Sequence, residues 1–305
     1  MFEDKLKENK GEYLLKKFTD GKFSDLIEEI DKLMEEYGES SFGYSLLGNC
    51  FFNIKDYEES IKAFEKEIKI SKEEHFLPYY NLGRNFGALE NSNLEISNYL
   101  KSYTINPNRF ETNYELGMAY IKIEDYINSE KYLINAHNLK KDDPLAVINL
   151  LSLLHKMGKY SSGVEIGRKA SKEFEKFFQF CYNYALMLYE EKELEESNNM
   201  NNKVLNQIAN ENNPIFLDAL GLKANILNAQ MEIKEAINTG FKILKEDQNH
   251  YVALKSLTTS FSRSGNHRAS IFFDRLADGN IRFEINNEGS IDLFMHQNEK
   301  APINV

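Results

Sequence analysis

One spacing governs this chain. Leu26, Ser60, Ser129, Gly163, Ser197, Ala236 and Ser270 stand in one recurrent, mostly small slot, with Glu95 filling it once. The steps between the eight are 34, 35, 34, 34, 34, 39 and 34 residues. A second slot lies 12 residues earlier and keeps the same steps: Leu14, Gly48, Gly83, Gly117, Leu151, Ala185, Ala224 and Thr258. Two registers on one period predict a linear array of repeated units, each too small to bury its own apolar face.

Within a unit the apolar spacing is helical. In 41–74 the stretch SFGYSLLGNCFFNI sets Tyr44, Leu47 and Phe51 three and four apart, and YEESIKAFEKEIKI does the same with Tyr57, Ile61, Phe64 and Ile68. The Glu and Lys residues of the second segment predict a solvated outer face. Lys55-Asp56 separates the two segments, and Gly21, Gly158 and Gly265 mark the same turn elsewhere. Pro107, Pro144 and Pro214 fall where one unit hands over to the next, because proline lacks a helical donor. The long step of 39 coincides with IANENNP at 208–214, expected to be a longer loop or an extended second helix.

The Leu-Gly pairs at 82–83 and 116–117, the aromatics opening each second segment (Tyr57, Tyr126, Tyr160) and the small residue after them resemble the tetratricopeptide repeat. The resemblance covers about residues 7–277 and is strongest in the units starting at Ser41, Phe76 and Phe110. It implies an all-α fold, an α-α superhelix or solenoid of about eight helical hairpins whose first helices line an inner groove. It also implies a binding scaffold rather than an enzyme. Proline closes few units, Glu95 replaces a small residue, and the last two units lack Leu-Gly. Residues 278–305 form a separate tail. There Ile281, Phe283 and Ile285, then Ile291 and Leu293, alternate around Asn-Asn-Glu-Gly, which predicts a short β-hairpin before a disordered end.

The expected groove carries Tyr80, Tyr114 and Tyr182 at one position, with Ile148 between them, and Asn81, Asn149 and Asn183 at the next. This recurrence is similar to the asparagine ladder in the repeats of O-linked N-acetylglucosamine transferases, which implies amides holding an extended peptide main chain. Tyr80, Asn81, Arg84, Tyr114, Met118, Asn149, Tyr182 and Asn183 are therefore the candidate partner-contacting residues. The family's carboxylate clamp is rejected: Asn49 and Asn81 fit, but Ser45 replaces its lysine, and Glu111 and Glu115 replace its last cations.

Net charge narrows the partner. At −11 the chain is a poor ligand for nucleic acid or an anionic membrane, so a protein or peptide partner is expected. No apolar run approaches the roughly 20 residues that span a bilayer. The charged start MFEDKLKENK has no secretory apolar core, and Cys50 and Cys181 are expected to be buried thiols of a reducing, cytoplasmic setting. The Asn, Lys and Ile content suggests an AT-rich bacterial genome. No HExxH, phosphate-binding loop or Gly-x-Ser-x-Gly occurs, the six histidines are scattered, and neither a cofactor nor a metal is expected. The main expectation is a non-catalytic interaction scaffold. The alternative is the substrate-recruiting part of a glycosyltransferase, sulfotransferase or oxygenase, and end-to-end self-assembly is a third reading.

Overall fold

The computed structural model describes residues 3–208, 213–285 and 291–295. Contacts divide the chain into two compact units, residues 1–150 and 151–305. The first contains hairpins α1 (Glu3–Thr19)–α2 (Phe23–Tyr37), α3 (Ser41–Asn53)–α4 (Tyr57–Ile70), α5 (Phe76–Ala88)–α6 (Ser92–Ile105) and α7 (Phe110–Lys122)–α8 (Tyr126–Leu139). It also holds the start of α9 (Pro144–Lys156). The second contains the rest of α9 and α10 (Tyr160–Phe174), then α11 (Phe178–Glu190)–α12 (Leu194–Gln207), α13 (Pro214–Ala229)–α14 (Ile233–Glu246) and α15 (Tyr251–Arg263)–α16 (His267–Ala277). Strands β1 (Ile281–Ile285) and β2 (Ile291–Met295) follow, antiparallel, with Phe283 opposite Leu293. The residues expected to be a disordered end, 298–305, lie outside those described, as do His296 and most of the 208–214 segment.

The two registers of the sequence meet in space. Ser60 Oγ donates to the Gly48 carbonyl at 2.7 Å, Ser129 to Gly117 at 2.9 Å, Ser197 to Ala185 at 2.7 Å and Ser270 to Thr258 at 2.9 Å. In these four hairpins one hydroxyl thus ties the second helix to the main chain of the first, which links the slots 12 residues apart. The glycines admit the large side chain of the facing helix. A Cβ on Gly48 would stand 2.7 Å from the Phe64 ring, and one on Gly83 2.5 Å from Tyr99.

The turns repeat as strictly. Gly21, Lys55, Glu90, Glu124, Gly158, Lys192, Met231 and Gly265 all have positive φ, between 57° and 80°. At Lys55 the bonds run from Lys55 N–H to the Phe52 carbonyl and from Asp56 N–H to the Phe51 carbonyl, the Schellman pattern of a helix end. The next residue then opens the second helix: Asp56, Asn91, Asp125 and Asn266 each accept a main-chain N–H three residues on.

Two expectations change. The buried stripe of α4 is Ser60, Ala63, Phe64 and Glu67, so one glutamate of the expected solvated face lies inside at 7% exposure. The extra residues of the long step do not extend the second helix of the sixth hairpin, since α12 keeps 14 residues; α13 is lengthened to 16. Pro214 starts α13 because Asn213 caps it by accepting from Ile215 N–H.

Candidate functional site

In the first unit, side chains of successive first helices meet along one face. The Arg84 guanidinium on α5 lies over the Phe52 ring of α3 at 4.2 Å. Arg109, just before α7, covers both Phe76 and Tyr80 of α5, at 4.8 and 4.7 Å. Lys140 sits 5.1 Å above Phe110, which stacks on Tyr114 at 5.9 Å. Asn149 on α9 donates to the Tyr114 hydroxyl at 3.1 Å and to the Leu145 carbonyl at 2.9 Å. Aromatic rings and cations from neighbouring repeats therefore bridge each first helix to the next.

The candidate residues do not share one environment. Tyr80, Arg84, Tyr114, Met118 and Asn149 are part-exposed in the first unit. Asn81 is buried at 8%, and its carbonyl accepts from the buried Asn85 amide. Asn149 has both amide protons engaged within the protein. An asparagine ladder that presents free amides is thus not what Asn81 and Asn149 form here. Identical letters at one register position conceal this difference, which depends on how far each helix is covered by its neighbours. Tyr182 and Asn183 lie part-exposed on α11 of the second unit. There burial raises the Tyr182 phenol, with the Asp218 charge second, and Asp218 Oδ1 stands 3.5 Å from His250 Nε2.

Electrostatics picks out a residue that the sequence reading assigned only a repulsive role. Burial raises the Glu115 carboxyl, opposed by Arg84, reinforced by Glu95 and opposed by Lys122. Burial likewise raises the Tyr80 and Tyr114 phenols, with the Glu115 charge second in each. Glu115 thus faces the α5–α6 hairpin. Glu95, in the otherwise small slot, is 3% exposed and bonded by Lys122 at 2.8 and 3.0 Å. Room for it comes from Gly87, where a Cβ would lie 2.7 Å from Glu95 Oε1.

A family model for the tetratricopeptide repeat matches residues 43–74. The C-terminal part of a tetratricopeptide repeat protein from Cytophaga hutchinsonii superposes with a TM-score of 0.65 at 14% identity, covering 81% of this chain and 98% of that one. The fold is that of a tetratricopeptide repeat array. YrrB, a tetratricopeptide repeat protein with an unusual peptide-binding site, superposes at a TM-score of 0.56 and 18% identity over 64% of this chain and 97% of its own. Intraflagellar transport protein 70A of Xenopus tropicalis is 23% identical over 188 residues, 60% of this chain. The chain spans 28% of that relative's length.

The remaining chemistry is sparse. Among the described residues no three His, Cys, Asp or Glu side chains converge as a metal site, and no helix is long and apolar enough to cross a membrane. Cys50 and Cys181 are buried, and desolvation pushes their thiols up, to about 12 and about 11, away from the reactive thiolate. His155 packs on Tyr160 at 5.5 Å. An open cavity of about 330 Å³ lies by α10, but Ser161, Arg168 and Lys169 on its wall already bond Glu191, Glu193 and Glu165.

Proposed function

We propose that the protein is an interaction scaffold whose repeat array, residues 7–277, holds an extended segment of a protein partner against its first helices. The carrying observation is the run of part-exposed aromatic and cationic side chains on α3, α5 and α7, with Tyr80 and Tyr114 at equivalent positions of adjacent repeats. Tyrosine there offers apolar area with a polar tip at little entropic cost, the pattern of contact surfaces. Arg84 and Met118 extend the surface along the same helices. Asn81 supports it from within, Asn149 fixes Tyr114, and Tyr182 and Asn183 offer the corresponding surface of the second unit. The peptide-binding site of YrrB and the net charge of −11 favour a peptide over a nucleic acid.

Phage-displayed random dodecapeptides selected on this chain supply a ligand for the test. The double substitution Tyr80→Ala/Tyr114→Ala is expected to weaken a selected peptide by about 2 kcal/mol or more in fluorescence anisotropy. Helicity by far-ultraviolet circular dichroism stays unchanged. Retained affinity in the double variant would falsify the assignment.

A further inference from the structure

The turns inside hairpins α3–α4, α5–α6 and α7–α8 carry an apolar row that the fold does not require. Six first helices close in one backbone state. Ile54, Leu89, Ile123, Glu191, Gln230 and Ser264 all have φ between −77° and −99° and ψ between −1° and 11°. The last three are polar, so the position itself does not call for an apolar side chain. Ile54, Leu89 and Ile123 are nonetheless apolar and exposed, at 42%, 45% and 45%. Leu94 and Ile127, on the first turns of α6 and α8, are exposed as well, Ile127 at 77%.

The row is flanked by acid. Glu90 and Glu124 directly follow Leu89 and Ile123, both are exposed, and neither joins an ion pair among the described residues. Lys55 follows Ile54 instead, with the exposed Glu58 beyond it. Single exposed apolar side chains are ordinary, whereas a row of them recurring from repeat to repeat beside unpaired charge of one sign marks a contact surface.

Spacing selects the occupant. Packed helices of neighbouring repeats lie about 8–10 Å apart. Seven residues of an α-helix advance about 10.5 Å and return to nearly the same face. Three residues of a strand advance about 10 Å, but they turn the side chain to the opposite face.

We propose that this edge docks a basic amphipathic helix of a partner protein, one apolar residue per heptad seating on Ile54, Leu89 and Ile123 in turn. Lysine or arginine beside those residues meets Glu90 and Glu124. The chain's net charge of −11 draws such a helix in. This surface is distinct from the aromatic face of the first helices and stands whether or not that face holds a peptide.

The test titrates labelled helical peptides of three heptads against the whole chain by anisotropy. One is built of alanine and lysine with leucine at every seventh position. A second replaces each lysine by glutamate, and a third keeps the lysines but respaces the leucines to every fifth position. The first is expected to bind about tenfold tighter than either other at low salt, its lead over the acidic peptide narrowing as salt is added. Ile54→Gln/Leu89→Gln/Ile123→Gln should weaken it about tenfold or more. Thermal unfolding should be unchanged in that variant, since Gln230 already occupies the equivalent position. Equal binding of the three peptides, no binding of the basic one, or undiminished binding to the triple variant overturns the site. Self-association of the parent chain in sedimentation, lost in the triple variant, assigns the edge to a second copy and also overturns it. None of these results bears on the Tyr80 and Tyr114 test, so the two surfaces fail separately.

Discussion

Hairpins α3–α4 and α5–α6 each bury one glutamate in a small-residue framework, and they solve the problem differently. Glu67 of α4 is 7% exposed, has the Ser45 hydroxyl beside it, and leaves Oε2 without a partner among the described residues. Glu95 of α6 is 3% exposed but takes two bonds from Lys122 of the next repeat, in space left by Gly87. Desolvation pushes the Glu67 carboxyl from 4.5 to about 7. A repeat array therefore tolerates a buried acid when the neighbouring unit supplies a cation. Without one, the acid is kept neutral by its surroundings over part of the physiological pH range.

The largest effect is expected from removing the cation. Lys122→Met leaves Glu95 buried and unpaired, and should cost about 2–3 kcal/mol in urea unfolding at pH 7, the low end for such a loss because half of Lys122 already faces water. Adding Glu95→Ser should recover most of it, since serine in this slot can bond the Gly83 carbonyl as Ser60 bonds Gly48. A loss below about 0.5 kcal/mol would mean that the pair is incidental.

Next in size is Glu67. Its carboxyl stays protonated in the native chain up to about pH 7, but only to about its ordinary 4.5 in the unfolded chain. Between those values the native state binds more protons, so its contribution to stability falls as pH rises through the window and levels off above it. Glu67→Gln removes the penalty and should stabilise by about 2 kcal/mol at pH 8 and by almost nothing at pH 4.5. Unfolding at both pH values decides it; a gain independent of pH would show that packing, not titration, separates Glu67 from Glu95. Glu115 and Asp31, also raised by burial, titrate in both proteins and cancel from the difference.

The array was legible in the sequence because its causes are local and repeated. Gly48 makes way for Phe64, and Ser60 must reach the Gly48 carbonyl, so both positions are constrained together, and the hydroxyl bond returns at Ser129, Ser197 and Ser270. The buried glutamates were not legible. Glu67 looks like any other acid of a Glu/Lys-rich outer helix, and its burial follows from packing around α4 rather than from the letters near it. Lys122 lies 27 residues after Glu95, outside any helical spacing. The site shows the same limit. Tyr80 and Tyr114 stood out by register, whereas the burial of Asn81 and the partial burial of Glu115 depend on neighbours from other repeats.

The smallest effect tests where the two hairpins should not differ. Both turn through a non-glycine residue in the left-handed region, Lys55 at φ 66° and Glu90 at φ 57°, with the same pair of main-chain bonds closing the helix. A side chain there costs about 1–2 kcal/mol, part of which glycine returns through the greater freedom of its unfolded chain. Lys55→Gly and Glu90→Gly should therefore each stabilise by about 0.5–1 kcal/mol, and the double variant by their sum, because the turns share no partner. Gly158→Ala, at the equivalent turn of the α9–α10 hairpin with φ 68°, should lose about as much. Equal gains at 55 and 90 would confine the contrast between these hairpins to their buried acids. Unequal gains would mean that the Glu95–Lys122 pair also strains the α5–α6 turn, and that the backbone shares in accommodating it.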